Sequence, residues 1–420
     1  MNSPKRNVRP WVVMGSIGLI SAACLGTTMV LMGSFLVPLS QSLHTSVAFL
    51  SYYYTVLVLV MAVMMPVVPK ILVRVNNRLL YTLASAAVVV SLLLIPHFTQ
   101  VGWFFAIALV IGVAISFMSF VPVGILLGNW FVEKTGTAVG ICWAITSVFQ
   151  GIMSPILSAA IGRVGWQQTM TWLALLVAVL SIPCAIFGVS FAPAQEHRQP
   201  YGSVTAKVES APAEPEATVS SRQLFTAPVF WLLLFTIILL QFPAVLNQMF
   251  PTYAAMSGFL GTVGGLMVTA AMLFDIFLNP LIGMTCDRFG AEKASLAWLL
   301  VALVSYGLLI LATRLVSAPL AIFSAGINDV LYVYLGTGIT TIASAALGKN
   351  AFAKGFSYIS SISFFIGAFA MPLNNYIAEQ FGGFVAVFAL ITIVIIGLVA
   401  MIRGHHLTLN EEDYHESTNV

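Results

Sequence analysis

Twelve apolar runs of 18 to 27 residues, almost empty of charge, fix the kind of solvent in which this chain must fold. They lie at about 11–37, 48–68, 79–96, 103–127, 138–160, 167–191, 228–250, 261–283, 294–313, 319–345, 355–378 and 384–402. A helix needs roughly 20 apolar residues to cross the ~30 Å hydrocarbon core of a bilayer, so every run is long enough to span. Only 7% of the residues are charged, against about 25% in a soluble domain. Strands of a membrane barrel would alternate apolar and polar positions, and a run such as 56–68 does not. The sequence therefore predicts an all-α membrane protein with twelve transmembrane helices, and the lipid bilayer as its first partner.

With twelve spans, both termini and every second loop share one side. Fifteen of the 17 basic residues fall there, and only Arg163 and Arg314 fall opposite. The positive-inside rule makes that side cytoplasmic, with both termini on it. The net charge of +3 is thus topological and implies no nucleic-acid partner. Lys5, Arg6 and Arg9 precede a long first run without a small-residue cleavage pattern, which reads as a retained span. Cys24, Cys142, Cys184 and Cys286 are scattered without metal-type spacing and read as buried thiols. No phosphate-cradling Gly-Lys-Ser/Thr loop and no nucleophile constellation is present. The expectation is a non-enzyme without a metal or cofactor.

The long connection, 192–226, is expected on the cytoplasmic side. Its core, 193–221, is rich in Pro, Ala, Ser and Glu, which predicts a flexible linker. It separates an N-terminal six-helix bundle (1–191) from a C-terminal one (227–403), followed by an acidic tail (404–420). The halves echo each other. Lys134-x-x-x-Ala138-x-Gly140 and Lys349-x-x-x-Ala353-x-Gly355 open spans 5 and 11, offset by 355 − 140 = 215. Gly151 and Pro155 follow in one, Gly367 and Pro372 in the other, and the spans leave through Gly165-Trp166 and Gly383-Phe384. The same offset carries Arg78 onto Lys293. Such a six-span repeat predicts two pseudo-symmetric bundles.

Gly283-x-x-x-Asp287-Arg288-x-Gly290-x-x-Lys293, between spans 8 and 9, resembles the cytoplasmic signature of the major facilitator superfamily. The resemblance implies the major facilitator fold and makes Gly283, Asp287, Arg288, Gly290 and Lys293 a cytoplasmic gate. The first-half counterpart keeps Lys70, Arg74 and Arg78 but lacks the Asp and the glycines. Asn129-Trp130-Phe131 running into Gly136, Ala138 and Gly140 is similar to the monocarboxylate and oxalate–formate exchanger branch. So are the stretch from Gly33, Phe35 and Pro38 to Ser51, and Phe274-Asp275-x-x-x-Asn279-Pro280-x-x-Gly283, where that branch carries arginine at the position of Asn279. The resemblance implies a secondary transporter for a small organic solute, a carboxylate among the candidates, coupled to a proton or a counter-solute. Alternating access by rocking of the halves, a monomeric functional unit and a bacterial cytoplasmic membrane complete that expectation.

Asp275 and Asp329 are the only charges inside the apolar runs. An ionisable group in hydrocarbon costs several kcal/mol (about 2.5–3.5 on insertion scales), so it faces protein or an aqueous path and by default marks function. Asp275 falls ~21 Å along span 8 and Asp329 ~15 Å along span 10. Asn279 shares a face with Asp275 at i+4, and Asn328 and Tyr332 flank Asp329. In the resembled family spans 5 and 7 line the cavity, which adds Gln150 and Asn247. Two readings of the acids stand, proton coupling or solute contact against a hydrogen-bonded acid that ties helices together. Two other functions stand beside uptake: a proton-driven exporter of amphipathic compounds, and a sensor or receptor with a transporter fold.

Overall fold

In hydrocarbon every backbone N–H and C=O must find a partner inside its own segment, and helices are how an apolar run achieves this. The computed structural model describes residues 8–65, 67–131, 135–196, 198–202, 221–335 and 339–405. The described residues of every apolar run are largely helical in it. The first helix starts at Arg9–Ile20, widens into a π-helical stretch Ser21–Leu31 and continues as Gly33–Ser42 across Pro38, further than the run predicts. Tyr52–Met64, Asn77–Leu94, Val101–Ser116 with Phe120–Trp130, Thr135–Val164 and Trp166–Pro183 complete the first set. The second set is Pro228–Ala244 with Leu246–Met256, Gly261–Phe289, Ala291–Leu315, Ala318–Asn328 with Val330–Val333, Ile339–Gly367 with Ala370–Gln380, and Phe384–His405.

Among the described residues nine helices are long and apolar enough to cross a membrane, and Ala318–Val333 and Phe384–Gly397 are shorter apolar ones. Large apolar side chains such as Phe187 (74%), Val179 (70%) and Leu83 (59%) point outward. That surface suits lipid and would be costly in water.

The chain divides into two units, Met1–Ala213 and Glu214–Val420. Each packs its helices by the same scheme. In the first, span 1 packs on span 5, span 2 on span 4 and span 3 on span 6; in the second, 7 packs on 11, 8 on 10 and 9 on 12. Glycines let the paired helices approach. A Cβ on Gly112 would meet Val60 of span 2 at 2.9 Å, and one on Gly326 would meet Phe274 of span 8 at 2.7 Å. Two of these contacts are counterparts with the partners exchanged. Gln150 of span 5 lies over Gly26 of span 1, whereas Gln241 of span 7 lies under Gly367 of span 11. The offset found in the sequence takes Gly26 onto Gln241, since 26 + 215 = 241. Gly165 and Gly383, at φ +86° and +81°, make the turns that start spans 6 and 12 at Trp166 and Phe384.

Two stretches differ from the sequence expectation. The helix Ile339–Gly367 runs through 346–354, where a turn before span 11 is expected. The stretch has no proline, and Ala346, Leu347, Lys349, Ala351, Ala353 and Lys354 are all good helix formers, which carries the helix past Gly348 and Asn350. The side chains of both lysines lie outside the described residues.

The second difference is in the expected linker. Its described beginning is fastened to the first unit. Glu196 takes two hydrogen bonds from Arg9 (Nε 2.8 Å, Nη2 2.7 Å) and one from Arg78 Nη2 (2.8 Å), while Arg78 Nε donates to the Val189 carbonyl. Asn129 Nδ2 and Trp130 Nε1 donate to the carbonyls of Phe191 and Ser190, and the Tyr201 amide donates to the Trp130 carbonyl. Trp11 packs edge-on against both Phe131 and Tyr201. Ion pairs and aromatic contacts thus hold a segment whose composition reads as unstructured. Its end, Ser221–Thr226, is helical. Residues 203–220 of the linker and 406–420 of the tail lie outside the described residues.

Candidate functional site

Span 10 does not run as one regular helix. Ala318–Asn328 ends at Asp329, whose amide reaches back only to Gly326 O at 3.3 Å, and Val330–Val333 resumes beyond it. Span 7 is interrupted in the same way at Val245, between Pro228–Ala244 and Leu246–Met256. Each break places a polar residue at mid-helix, Asp329 in one and Asn247 in the other.

Asp329 is 2% exposed, and neither of its carboxylate oxygens has a hydrogen-bond partner among the described residues. The Asn247 side chain from span 7 lies within interaction range of it, and the Asp275 carboxylate from span 8 interacts with it electrostatically. Asn247 is 4% exposed, with Oδ1 also unpartnered. Tyr332, one turn below Asp329, feels both carboxylates and is 40% exposed. Asp275 is half-buried and accepts a hydrogen bond at Oδ1 from Asn279 Nδ2 (3.0 Å), which also donates to the Asp275 carbonyl (3.1 Å). Spans 7, 8 and 10 therefore bring Asn247, Asp275, Asn279, Asp329 and Tyr332 together. The runs 228–250, 261–283 and 319–345 contain no Lys, Arg or His to balance these acids.

The remaining residues singled out in the sequence lie elsewhere. Asn328 turns away from Asp329, and its Nδ2 donates to Ser305 Oγ of span 9 at 2.9 Å, a link between helices. Adjacent residues on a helix point about 100° apart, so only one of this pair can face the acids. Gln150 is buried in the first unit over Gly26. In the signature between spans 8 and 9, Gly290 adopts φ +83° and separates helices Gly261–Phe289 and Ala291–Leu315, a conformation that favours glycine. Arg288 is exposed and lies over the Phe289 ring at 5.4 Å. Exposed Lys293 borders a cleft of about 270 Å³ with Thr285, Phe289 and Trp298, the last donating to Thr285 Oγ1 at 2.8 Å. Gly283 lies within the helix, and the Asp287 side chain is outside the described residues.

Sequence reasoning missed Glu196. Arg9, by hydrogen bond and charge, and then Arg78 hold its carboxyl below the ordinary glutamate range against a smaller desolvation effect. The available signal was the degenerate first-half signature, whose basic residues lack an acid of their own. Among the described residues no three His, Cys, Asp or Glu side chains converge in the manner of a transition-metal centre.

Comparison with known proteins adds a frame. Residues 18–264, more than half of the chain, match the family model described as Major Facilitator Superfamily. A relative from Bacillus subtilis (strain 168), "Uncharacterized MFS-type transporter YcxA", is 26% identical over 160 residues. That match covers 38% of this chain and 39% of the relative, so the chain spans about two-fifths of that relative's length. The crystal structure of the nucleoside transporter NupG superposes with a TM-score of 0.70 at 11% identity, covering 94% of this chain and 98% of that one. A bacterial homologue of the human lysosomal transporter Spinster gives 0.68 at 14% identity, with 95% and 97% covered. At such identities the likeness is one of fold.

Proposed function

The chain belongs to the major facilitator superfamily, and from that premise we propose that it is a secondary active transporter of a small organic solute, driven by proton movement through Asp275 and Asp329. It is an integral membrane transporter and not an enzyme. The observation that carries the coupling is the state of Asp329: a carboxyl group buried in the bundle, with neither oxygen hydrogen-bonded among the described residues and a second acid interacting with it. Two negative charges in such a place repel each other and lose hydration, so at least one needs a neutralising cation. A proton arriving by way of half-buried Asp275 is the simplest supply.

Asn279 bears on the solute. Where the resembled branch carries arginine, this chain carries an amide that donates to Asp275. The cluster is therefore acidic, which weighs against a carboxylate solute and toward a neutral or cationic one. That favours the second reading, a proton-driven exporter of amphipathic compounds. The asymmetry of basic residues supports a cytoplasmic-membrane protein with both termini inside.

The test is uptake or counterflow in proteoliposomes under an imposed pH gradient, with carboxylates, neutral solutes and lipophilic cations in separate arms. Asp275→Asn and Asp329→Asn are each expected to abolish the response to the gradient. If both variants transport with unchanged pH dependence, the coupling role fails.

A further inference from the structure

We propose that the oxygens of Asp329, the Asn247 amide and Asp275 form a binding site for a sodium-sized monovalent cation. The proposal rests on the same reading of this cluster as the coupling site and names a second ion for it. Three oxygens carry the argument: both carboxylate oxygens of Asp329 and Oδ1 of Asn247 are buried and without hydrogen-bond partners among the described residues. Buried unpaired oxygens are costly, and more so when charged. A proton on Asp329 serves one carboxylate oxygen and, as a donor, can also reach the Asn247 amide, but it leaves the other carboxylate oxygen bare. A hard cation engages all of them at once, because oxygen donors are what such ions take.

The backbone points the same way. Both residues lie at or beside breaks in their helices, Val245 in span 7 and Asp329 in span 10. Discontinuous membrane helices are where transporters coordinate small cations, since interrupted helices turn polar groups toward the ion. Asp275, half-buried and oriented by Asn279, supplies a second negative charge and an accessible edge by which the ion can arrive. The charge and the donor number favour a monovalent ion. A calcium-type ion takes 6–8 oxygens, more than this cluster offers. The titratable groups that act on Asp329 are Asp275 from span 8 and Tyr332 from its own span.

The experiment uses the full chain, purified into nanodiscs, with NaCl replacing choline chloride at constant ionic strength and pH. Bound radiosodium is counted, and the melting temperature is followed on the same samples. The expected result is saturable radiosodium binding, displaced by unlabelled NaCl, with a melting temperature that rises along the same curve. Asp329→Asn should abolish binding, and Asn247→Ala and Asp275→Asn should each weaken it about tenfold or more. Should Asp329→Asn not yield folded protein, the other two variants decide. Absence of saturable binding, undiminished binding in the variants, or an equal stabilisation by KCl each overturns the proposal. If proton-driven counterflow depends on Asp329 while radiosodium does not bind, this inference falls and the coupling reading stands. If radiosodium binds as expected but transport ignores the pH gradient, the cation site stands and the proton reading falls.

Discussion

In the first unit an acid, Glu196, joins Arg9 and Arg78 at one end of the bundle; in the second two acids, Asp275 and Asp329, lie within the spans, where Asn247 comes within range of Asp329. The helix pairing around them is the same, and even the glutamine laid over a glycine recurs. The difference teaches that a duplicated bundle preserves its apolar mesh more faithfully than its charge. Mesh is a property of many helix surfaces at once, whereas a single substitution creates or removes an acid. One unit has kept its charge for holding itself together. The other has put two acids where holding together is made harder.

The largest effect that sharpens this contrast is on transport. Asp329→Asn and Asp275→Asn should each lower gradient-driven counterflow about tenfold or more, while Glu196→Gln in the first unit should leave it within about twofold. Comparable losses from Glu196→Gln would break the division of labour. Next come the mirrored glycines. Gly26→Val and Gly367→Val push side chains into Gln150 and Gln241, and overpacking of this kind costs about 1–3 kcal/mol. Thermal unfolding should fall for both, and a loss in one alone would show that the two contacts are not equivalent.

Glu196 gives a smaller effect with a definite sign. Its partners depress the folded-state pKa, so its contribution is present above the ordinary glutamate pKa and is lost as pH falls through the lower folded value. A melting-temperature profile should show wild type and Glu196→Gln separated at neutral pH and converging toward acid. The separation should be about 1 kcal/mol or less, as for partly exposed ion pairs. Of similar size is Asn328→Ala, which removes the bond to Ser305 and should cost about 1 kcal/mol without changing the pH dependence of counterflow. A shifted pH profile would return Asn328 to the acidic cluster.

The spans, the two halves and the 215-residue offset were legible because they rest on composition and short-range spacing. So was the contact of Asp275 with Asn279, since one helical turn separates them. What escaped was tertiary. Which of Asn328 and Asp329 faces the acids depends on how span 10 is rotated against span 9, and no local pattern encodes that rotation. Asn247 reaches Asp329 from another span altogether. Glu196 meets Arg9 across 187 residues and Arg78 across 118, from a segment whose proline- and alanine-rich composition looks unstructured. The unexpected helix over 346–354 is the reverse case, local propensity prevailing over a turn inferred from the repeat.

Asp329 is both the acid of the second unit and the residue at which span 10 loses its regular backbone bonding. On the proposed reading, sensor and lever are therefore one residue. At Asp329 the backbone tightens for one residue, its amide bonded to Gly326 O at 3.3 Å while its carbonyl takes the Val333 amide at 3.1 Å, so the segments above and below meet at this position. On the proposed reading, whatever neutralises the carboxylate acts directly at this turn, and loading the site becomes a mechanical input to span 10 with no relay in between.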